Sequence, residues 1–95
     1  MTTAYRYKFD DRVDLREAGD TLLLAVLAAE GLFGATRVRM DLAVATDEVI
    51  RIIVVDASTD VGLAVNGIFA AFVSREFGPD AFCVKRVECV AGGGR

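Results

Sequence analysis

The first patterned stretch of the chain, YRYKFD, alternates apolar and polar positions with a period of two. Tyr5, Tyr7 and Phe9 fall on one side, and Arg6 and Lys8 fall on the other. Strict alternation is typical of a half-buried strand, so residues 4–10 are predicted to form the first β-strand. The rings are expected to face the core, because the opposite orientation would bury two cations without partners.

Two longer segments repeat their apolar residues every three or four positions, which is the spacing of a helix. The first covers residues 14–30, with Asp14 as its predicted N-cap and Gly31 and Gly34 at its end. The second covers residues 60–77 and stops at the Gly-Pro pair that follows it.

Three more segments are predicted to be strands. Residues 36–44 alternate between charged and apolar side chains, and residues 49–56 form a β-branched run that is apolar on nearly both faces, as expected of a central strand. The last strand covers residues 82–90. Its apolar positions change parity near Lys85 and Arg86, so a β-bulge is expected there.

The resulting order, βαββαβ, predicts an α+β protein with the ferredoxin-like fold. This is a two-layer sandwich with an antiparallel sheet of order 4-1-3-2 and both helices on one face. Residues 1–91 are expected to form a single domain, and residues 92–95 a flexible glycine-rich tail. Because many unrelated functions use this fold, the fold by itself indicates none of them.

The composition points to association. The chain has 95 residues, of which 54% are hydrophobic, and its mean hydropathy is +0.41. A domain of this size cannot bury all of this apolar surface in one core. We therefore expect part of the apolar surface to contact a second copy or another protein. The longest apolar run, LLLAVLAA, is much shorter than the roughly 20 residues that cross a bilayer, so no membrane partner is expected.

The scarce reactive residues exclude several chemistries. Histidine is absent, which excludes catalytic triads and metal sites that depend on it. Cys83 and Cys89 lie in one predicted strand, roughly 20 Å apart, and are therefore too distant for a disulfide. They are expected to be reduced thiols of a cytoplasmic protein, and no cofactor is predicted.

The predicted alternation places cations on the side of the sheet that the helices leave open, although the formal net charge is −3. RNA-recognition domains share this topology and stack bases on rings of strands one and three, but those outward rings are missing here. Nucleic acid is therefore a possible ligand that the sequence does not favour. The predicted binding residues of the open face are Arg6, Lys8, Arg37, Arg39, Arg51, Ile53 and Lys85, interspersed with Val49, Val55 and Val87.

One rim of the predicted sheet is acidic. The end of strand one and the turn between strands two and three bring together Asp10, Asp11, Asp47 and Glu48. Carboxylate oxygens are the ligands that Mg²⁺ and Ca²⁺ prefer, so these four residues are candidate metal ligands. Acidic residues are also common in solvated turns and helix caps, which is the more ordinary interpretation.

Three functional hypotheses follow, and an enzyme is not the favoured one. The leading hypothesis is a non-enzymatic protein–protein association module, acting as a homo-oligomer or as a subunit or adaptor of a larger assembly. Either the apolar helix surface or the open sheet could form its interface. The alternatives are a binder of nucleic acid or another anionic ligand on the sheet face, and a metal-dependent phosphoryl-transfer enzyme at the acidic rim.

Overall fold

The computed structural model describes residues 2–89, which form one four-stranded sheet and three helices. The strands are β1 (Thr2–Phe9), β2 (Val44–Asp47), β3 (Ile52–Asp56) and β4 (Phe82–Cys89), and the helices are α1 (Leu15–Phe33), α2 (Ala35–Asp41) and α3 (Asp60–Phe77). A short 3-10 turn, Pro79–Ala81, connects α3 to β4. The predicted tail at residues 92–95 lies outside the described residues.

The sheet is antiparallel throughout, with the order β2-β3-β1-β4, and this confirms the predicted strand order. Strand β1 lies between β3 and β4. Its register places Tyr7 opposite Ile53 and Arg6 opposite Lys85. Because directly opposed residues share a face of an antiparallel sheet, this register decides which side chains meet the helices and which remain uncovered.

The core lies between one face of the sheet and the helices. Tyr7 and Phe9 are buried there, which confirms the predicted inward orientation of the first strand's rings. The Tyr7 ring meets Phe69 of α3 edge-on, with 4.8 Å between centroids, and the Tyr7 hydroxyl donates a hydrogen bond to Asn66 Oδ1 at 2.5 Å. Burial raises the pKa of Tyr7 to about 12. The buried cluster also contains Val13, Ala18, Leu22, Ala25, Ala29, Val38, Ile53, Val55, Val61, Val65, Val73 and Ala81.

Helix α1 begins and ends at the type of residue that the sequence indicated. Asp14 is the N-cap, and its Oδ1 accepts a hydrogen bond from the backbone N–H of Arg16 at 2.9 Å. The helix continues through Gly31, beyond its predicted end at residue 30, and ends at Phe33. Gly34 follows with φ 87°, a left-handed conformation that favours glycine. The Gly34 N–H still donates to the Glu30 carbonyl, which satisfies one of the last helical acceptors.

The predicted strand at residues 36–44 is wrong, because most of this segment is helix α2. Local interactions favour the helix: Arg37 pairs with Asp41 one turn later at 3.5 Å, and its guanidinium lies 4.9 Å from the centroid of the Phe33 ring. The apolar side chains of this segment do not share one face: Val38 is buried, but Met40 is 78% exposed. Strand β2 is consequently displaced to Val44–Asp47.

Strand β3 is shorter than predicted, and the side chains face differently. Residues 49–51 belong to the preceding turn, where Val49 is 90% exposed. Ile53 and Val55 were expected on the open face, but both are fully buried beneath the helices. The reason is the register with β1: Ile53 lies opposite Tyr7 and shares its face.

Strand β4 pairs with β1 without interruption from Phe82 to Cys89, so the predicted bulge is wrong. Arg86 does share the helix-side face with Tyr5. It remains 60% exposed because β4 is the edge strand, and it pairs with Glu88 at 2.6 Å. Because β4 is an edge strand, Arg86 can share the helix-side face and still reach solvent, and no bulge is needed to turn it outward.

Helix α3 starts very close to the end of β3. Thr59 is the N-cap, and its hydroxyl accepts a hydrogen bond from the Gly62 N–H at 3.0 Å. A Cβ on Gly62 would lie only 2.0 Å from the carbonyl oxygen of Asp56, so this contact requires glycine. The close approach fixes where α3 begins its path across the sheet.

Candidate functional site

The uncovered side of the sheet carries a cluster of three cations where β1 and β4 pair. Arg6 lies directly opposite Lys85, and Lys8 lies opposite Cys83. The four residues line a shallow depression of about 360 Å³, and all four are exposed. We call Arg6, Lys8 and Lys85 the cationic sheet face. The structure thus places these three predicted residues together, on the predicted side of the sheet.

The cationic sheet face is largely unpaired. The Lys8 Nζ donates one hydrogen bond to the Ile50 carbonyl at 2.6 Å. Within residues 2–89, the side chains of Arg6 and Lys85 have neither an ion pair nor a hydrogen bond. Like charges that face each other across two strands are unfavourable, so this arrangement does not by itself stabilise the sheet.

The carboxylates on the same side of the sheet accept hydrogen bonds from neighbouring turns and not from the three cations. Asp47 Oδ1 accepts hydrogen bonds from the backbone N–H groups of Val49 and Ile50, at 3.0 and 3.3 Å. Asp56 Oδ1 accepts from the N–H of Ser58 at 2.8 Å and from its hydroxyl at 2.5 Å. Both acids therefore hold turns at strand ends and do not neutralise the cations.

Arg37 and Arg39 do not lie on the sheet, which corrects the prediction for both. They belong to helix α2, where Arg37 is engaged with Asp41 and, at 3.7 Å, with Asp60. Arg39 is exposed on the same helix. Ile53 is likewise removed from the open face, because it is part of the core.

Arg51 lies in the turn between β2 and β3, not on the open face. Its backbone has φ 60°, which is unusual for a residue with a side chain. Its Nη2 donates to the carbonyl of Asp10 at 2.7 Å and also to the carbonyl of Val13. Its Nε is buried without a hydrogen bond, 3.8 Å from Asp11 Oδ1. Arg51 thus ties the loop after β1 to the turn before β3.

The acidic rim is a set of paired and solvated carboxylates. Asp10 Oδ2 pairs with Arg12 at 2.5 Å, and this hydrogen bond lowers the pKa of the Asp10 carboxyl. Asp11 is fully exposed beside Arg51, and Glu48 is exposed in the turn after β2. Among the residues that the structure describes, no group of three or more His, Cys, Asp or Glu is arranged to hold a metal ion.

The outer side of helix α1 carries exposed leucines. Leu23, Leu24 and Leu27 are 56%, 57% and 52% exposed, and they occupy adjacent turns on the side away from the buried Leu22 and Ala25. We call these three residues the leucine face. The sequence of α1 is apolar around most of the helix circumference, so the packing in the structure is needed to distinguish the exposed leucines from the buried ones.

A shallow groove of about 310 Å³ runs beside the leucine face, where α1 meets α3. Leu24 and Phe72 provide its apolar lining, and Thr21, Arg75 and Glu76 complete it. The Thr21 hydroxyl donates to the Glu76 carboxylate, a hydrogen bond that joins α1 to α3 beside the groove. The exposed apolar surface of α1 therefore continues toward α3.

No family model, curated protein or solved structure matches the chain. Any function must therefore be argued from the two surfaces described above. In the part of the chain that the structure covers, no helix has the length and apolar character needed to span a membrane.

Proposed function

We propose that this protein is a ferredoxin-like association module that pairs with a second copy of itself through the leucine face of α1. The antiparallel sheet with order β2-β3-β1-β4 supports the ferredoxin-like assignment, with α2 as an added helix before β2. The observation that carries the functional proposal is the position of the exposed leucines, which lie on the helix layer.

The two broad sides of the molecule differ in the kind of surface they expose. On the open side of the sheet, Ile52 is only 4% exposed and Val54 is half-buried, while the long exposed side chains are the cations Arg6, Lys8 and Lys85. On the helix layer, the three residues of the leucine face each keep more than half of their surface in water, as do Leu32 of α1 and Leu63 of α3. Because association is driven mainly by burying apolar surface, the helix side is the better candidate for the interface.

The leucines of this face are not needed to complete the core. Helix α1 already buries Ala18, Leu22, Ala25 and Ala29 against the sheet and α3. Contiguous apolar surface that remains after the core is complete marks an interaction site in many soluble proteins. Exposed Ala28 and Gly31 continue the same side of α1, and small side chains let another helix approach closely.

The dimensions and charges are compatible with a second copy as the partner. The molecule is a slab of 36 × 35 × 19 Å, and a stable interface needs roughly 800 Å² from each partner, which the broad helix side can supply. Charges of both signs border the leucine face, namely Asp20 on α1 and Arg75 with Glu76 beside the groove. Two copies therefore do not bring together charges of one sign only.

Leu27→Lys tests this proposal by sedimentation equilibrium. Burying a leucine contributes about 1.5–3 kcal/mol, so burying the 52% of Leu27 that is exposed contributes roughly 1 kcal/mol. A two-fold dimer contains the residue twice, so the loss is roughly 2 kcal/mol, or about 30-fold in Kd. The variant should fold normally, because lysine is a good helix former and the position is half-exposed.

Val49→Lys is the matched control, because it makes a similar change at a residue that is 90% exposed in the turn before β3. It should leave the dimer intact. A wild-type protein that remains strictly monomeric at high micromolar concentration would contradict the proposal. So would a dimer that Leu27→Lys and Val49→Lys affect equally.

A further inference from the structure

The cations of the cationic sheet face differ from the other arginines of the protein in having few partners. Arg12, Arg37 and Arg51 each have a carboxylate or a backbone carbonyl as partner, and each connects two segments of the fold. Arg6 and Lys85 connect nothing within the described residues, although they lie opposite each other on neighbouring strands. Within this part of the chain, their charge therefore does not join two segments of the fold.

The geometry of this face suits an oxyanion. Opposed residues on paired strands lie about 5 Å apart, and alternate residues on one strand about 7 Å apart, so the three cationic heads can converge on one small group. The Arg6 guanidinium can donate two parallel hydrogen bonds to a phosphate, and the two lysines add point charges. Lys8 retains two of its three donors after its bond to the Ile50 carbonyl.

We propose that the cationic sheet face binds a compact phosphate-bearing anion, in the depression lined by Arg6, Lys8, Cys83 and Lys85. The class of ligand is a free phosphate, a pyrophosphate or the terminal phosphate of a small molecule. A nucleic-acid strand fits less well, because the lining contains no ring on which a base could stack. The formal net charge of −3 also disfavours a long polyanion that extends beyond this cluster.

Isothermal titration with inorganic pyrophosphate tests the site directly. The variants Arg6→Gln and Lys85→Gln should each lower the affinity by about tenfold or more, because each removes a charged hydrogen-bond donor. Arg16→Gln is the control. Arg16 is an exposed cation on α1, so its substitution removes the same charge from another surface. It should leave the affinity within about twofold of the wild type, as expected for distant, screened charges.

Cys83 provides a second readout inside the same depression. Its thiol is free and exposed, and it lies opposite Lys8. Bound pyrophosphate should slow its alkylation by iodoacetamide, a neutral reagent, several-fold in the wild type and not in Arg6→Gln. Trypsin cleaves after Lys85 and Arg86, so Cys83 and Cys89 fall in separate peptides and mass spectrometry can follow Cys83 alone.

Three results would overturn the proposal. The first is non-specific binding: sodium chloride abolishes the affinity for pyrophosphate, and Arg6→Gln and Arg16→Gln have the same affinity when measured at the same ionic strength. The second is equal alkylation of Cys83 with and without pyrophosphate. The third is a single-stranded oligonucleotide that binds more tightly than pyrophosphate, with an affinity that rises with its length. The ligand would then be a nucleic-acid strand and not a compact anion. None of these results depends on whether the helix side dimerises.

Discussion

Replacing Arg51 separates two opposite effects of this residue on stability. Its backbone, with φ 60°, costs a residue other than glycine about 1–2 kcal/mol. Its side chain donates two hydrogen bonds from a charged group to the carbonyls of Asp10 and Val13, and such bonds contribute about 1.5–3 kcal/mol each. The nearby Asp11 is fully exposed, so that ion pair contributes little.

Arg51→Ala keeps the strained backbone and loses both hydrogen bonds. Because 27% of the side chain is exposed and water can replace part of the interaction, we expect a loss of about 2–4 kcal/mol in the free energy of unfolding. Arg51→Gly loses the same bonds but relieves the backbone, so it should be about 1 kcal/mol more stable than Arg51→Ala.

Urea unfolding followed by far-ultraviolet circular dichroism measures both differences, provided that the m-value is the same in all three proteins. Two results would refute the reasoning. If Arg51→Ala is as stable as the wild type, the side chain does not tie the two loops together. If Arg51→Gly is less stable than Arg51→Ala, the left-handed backbone is not a source of strain.

Two further predictions concern the core. Gly62→Ala should lower the free energy of unfolding by about 2–3 kcal/mol, because its Cβ would lie 2.0 Å from the Asp56 carbonyl oxygen, whereas Gly67→Ala, with open space around its Cβ, should raise it by about 1 kcal/mol. Equal thermal stability of the two variants would contradict the close contact at Gly62. Tyr7 has a folded pKa of about 12 against 10.0 for the free side chain, so the unfolded chain loses its proton first and stability should fall as pH rises through this window. Tyr7→Phe should lack this part of the pH dependence, and urea midpoints that fall equally in both proteins would contradict it.

The first strand and the two long helices were predictable because each has a pattern that fits one structure only. In YRYKFD, the inward orientation of Tyr7 leaves Arg6 and Lys8 in water, and the reverse orientation has no compensating partner. Asp14 and Gly34 mark the ends of α1 through local hydrogen bonds and backbone conformation, which do not depend on the rest of the fold. Local signals of this kind can be read from one sequence.

The second and third strands were less predictable because their patterns fit two structures. Seven residues of alternating charge and apolar character also suit a short helix, and the pairing of Arg37 with Asp41 and Phe33 selects the helix. The third strand is apolar at four consecutive positions, so its sequence does not reveal that Ile53 and not Ile52 faces the helices. That choice is made by the register with Tyr7, a contact between distant parts of the chain.

The slab shape has a consequence for how the two proposed surfaces would work together. The leucine face and the cationic sheet face lie on opposite broad sides of a molecule only 19 Å thick. A pair joined through its helices would therefore present two anion sites that point outward in opposite directions. Such a pair is bivalent: it would gain avidity only from a ligand long enough to reach around it, and it could otherwise bridge two separate phosphate-bearing molecules.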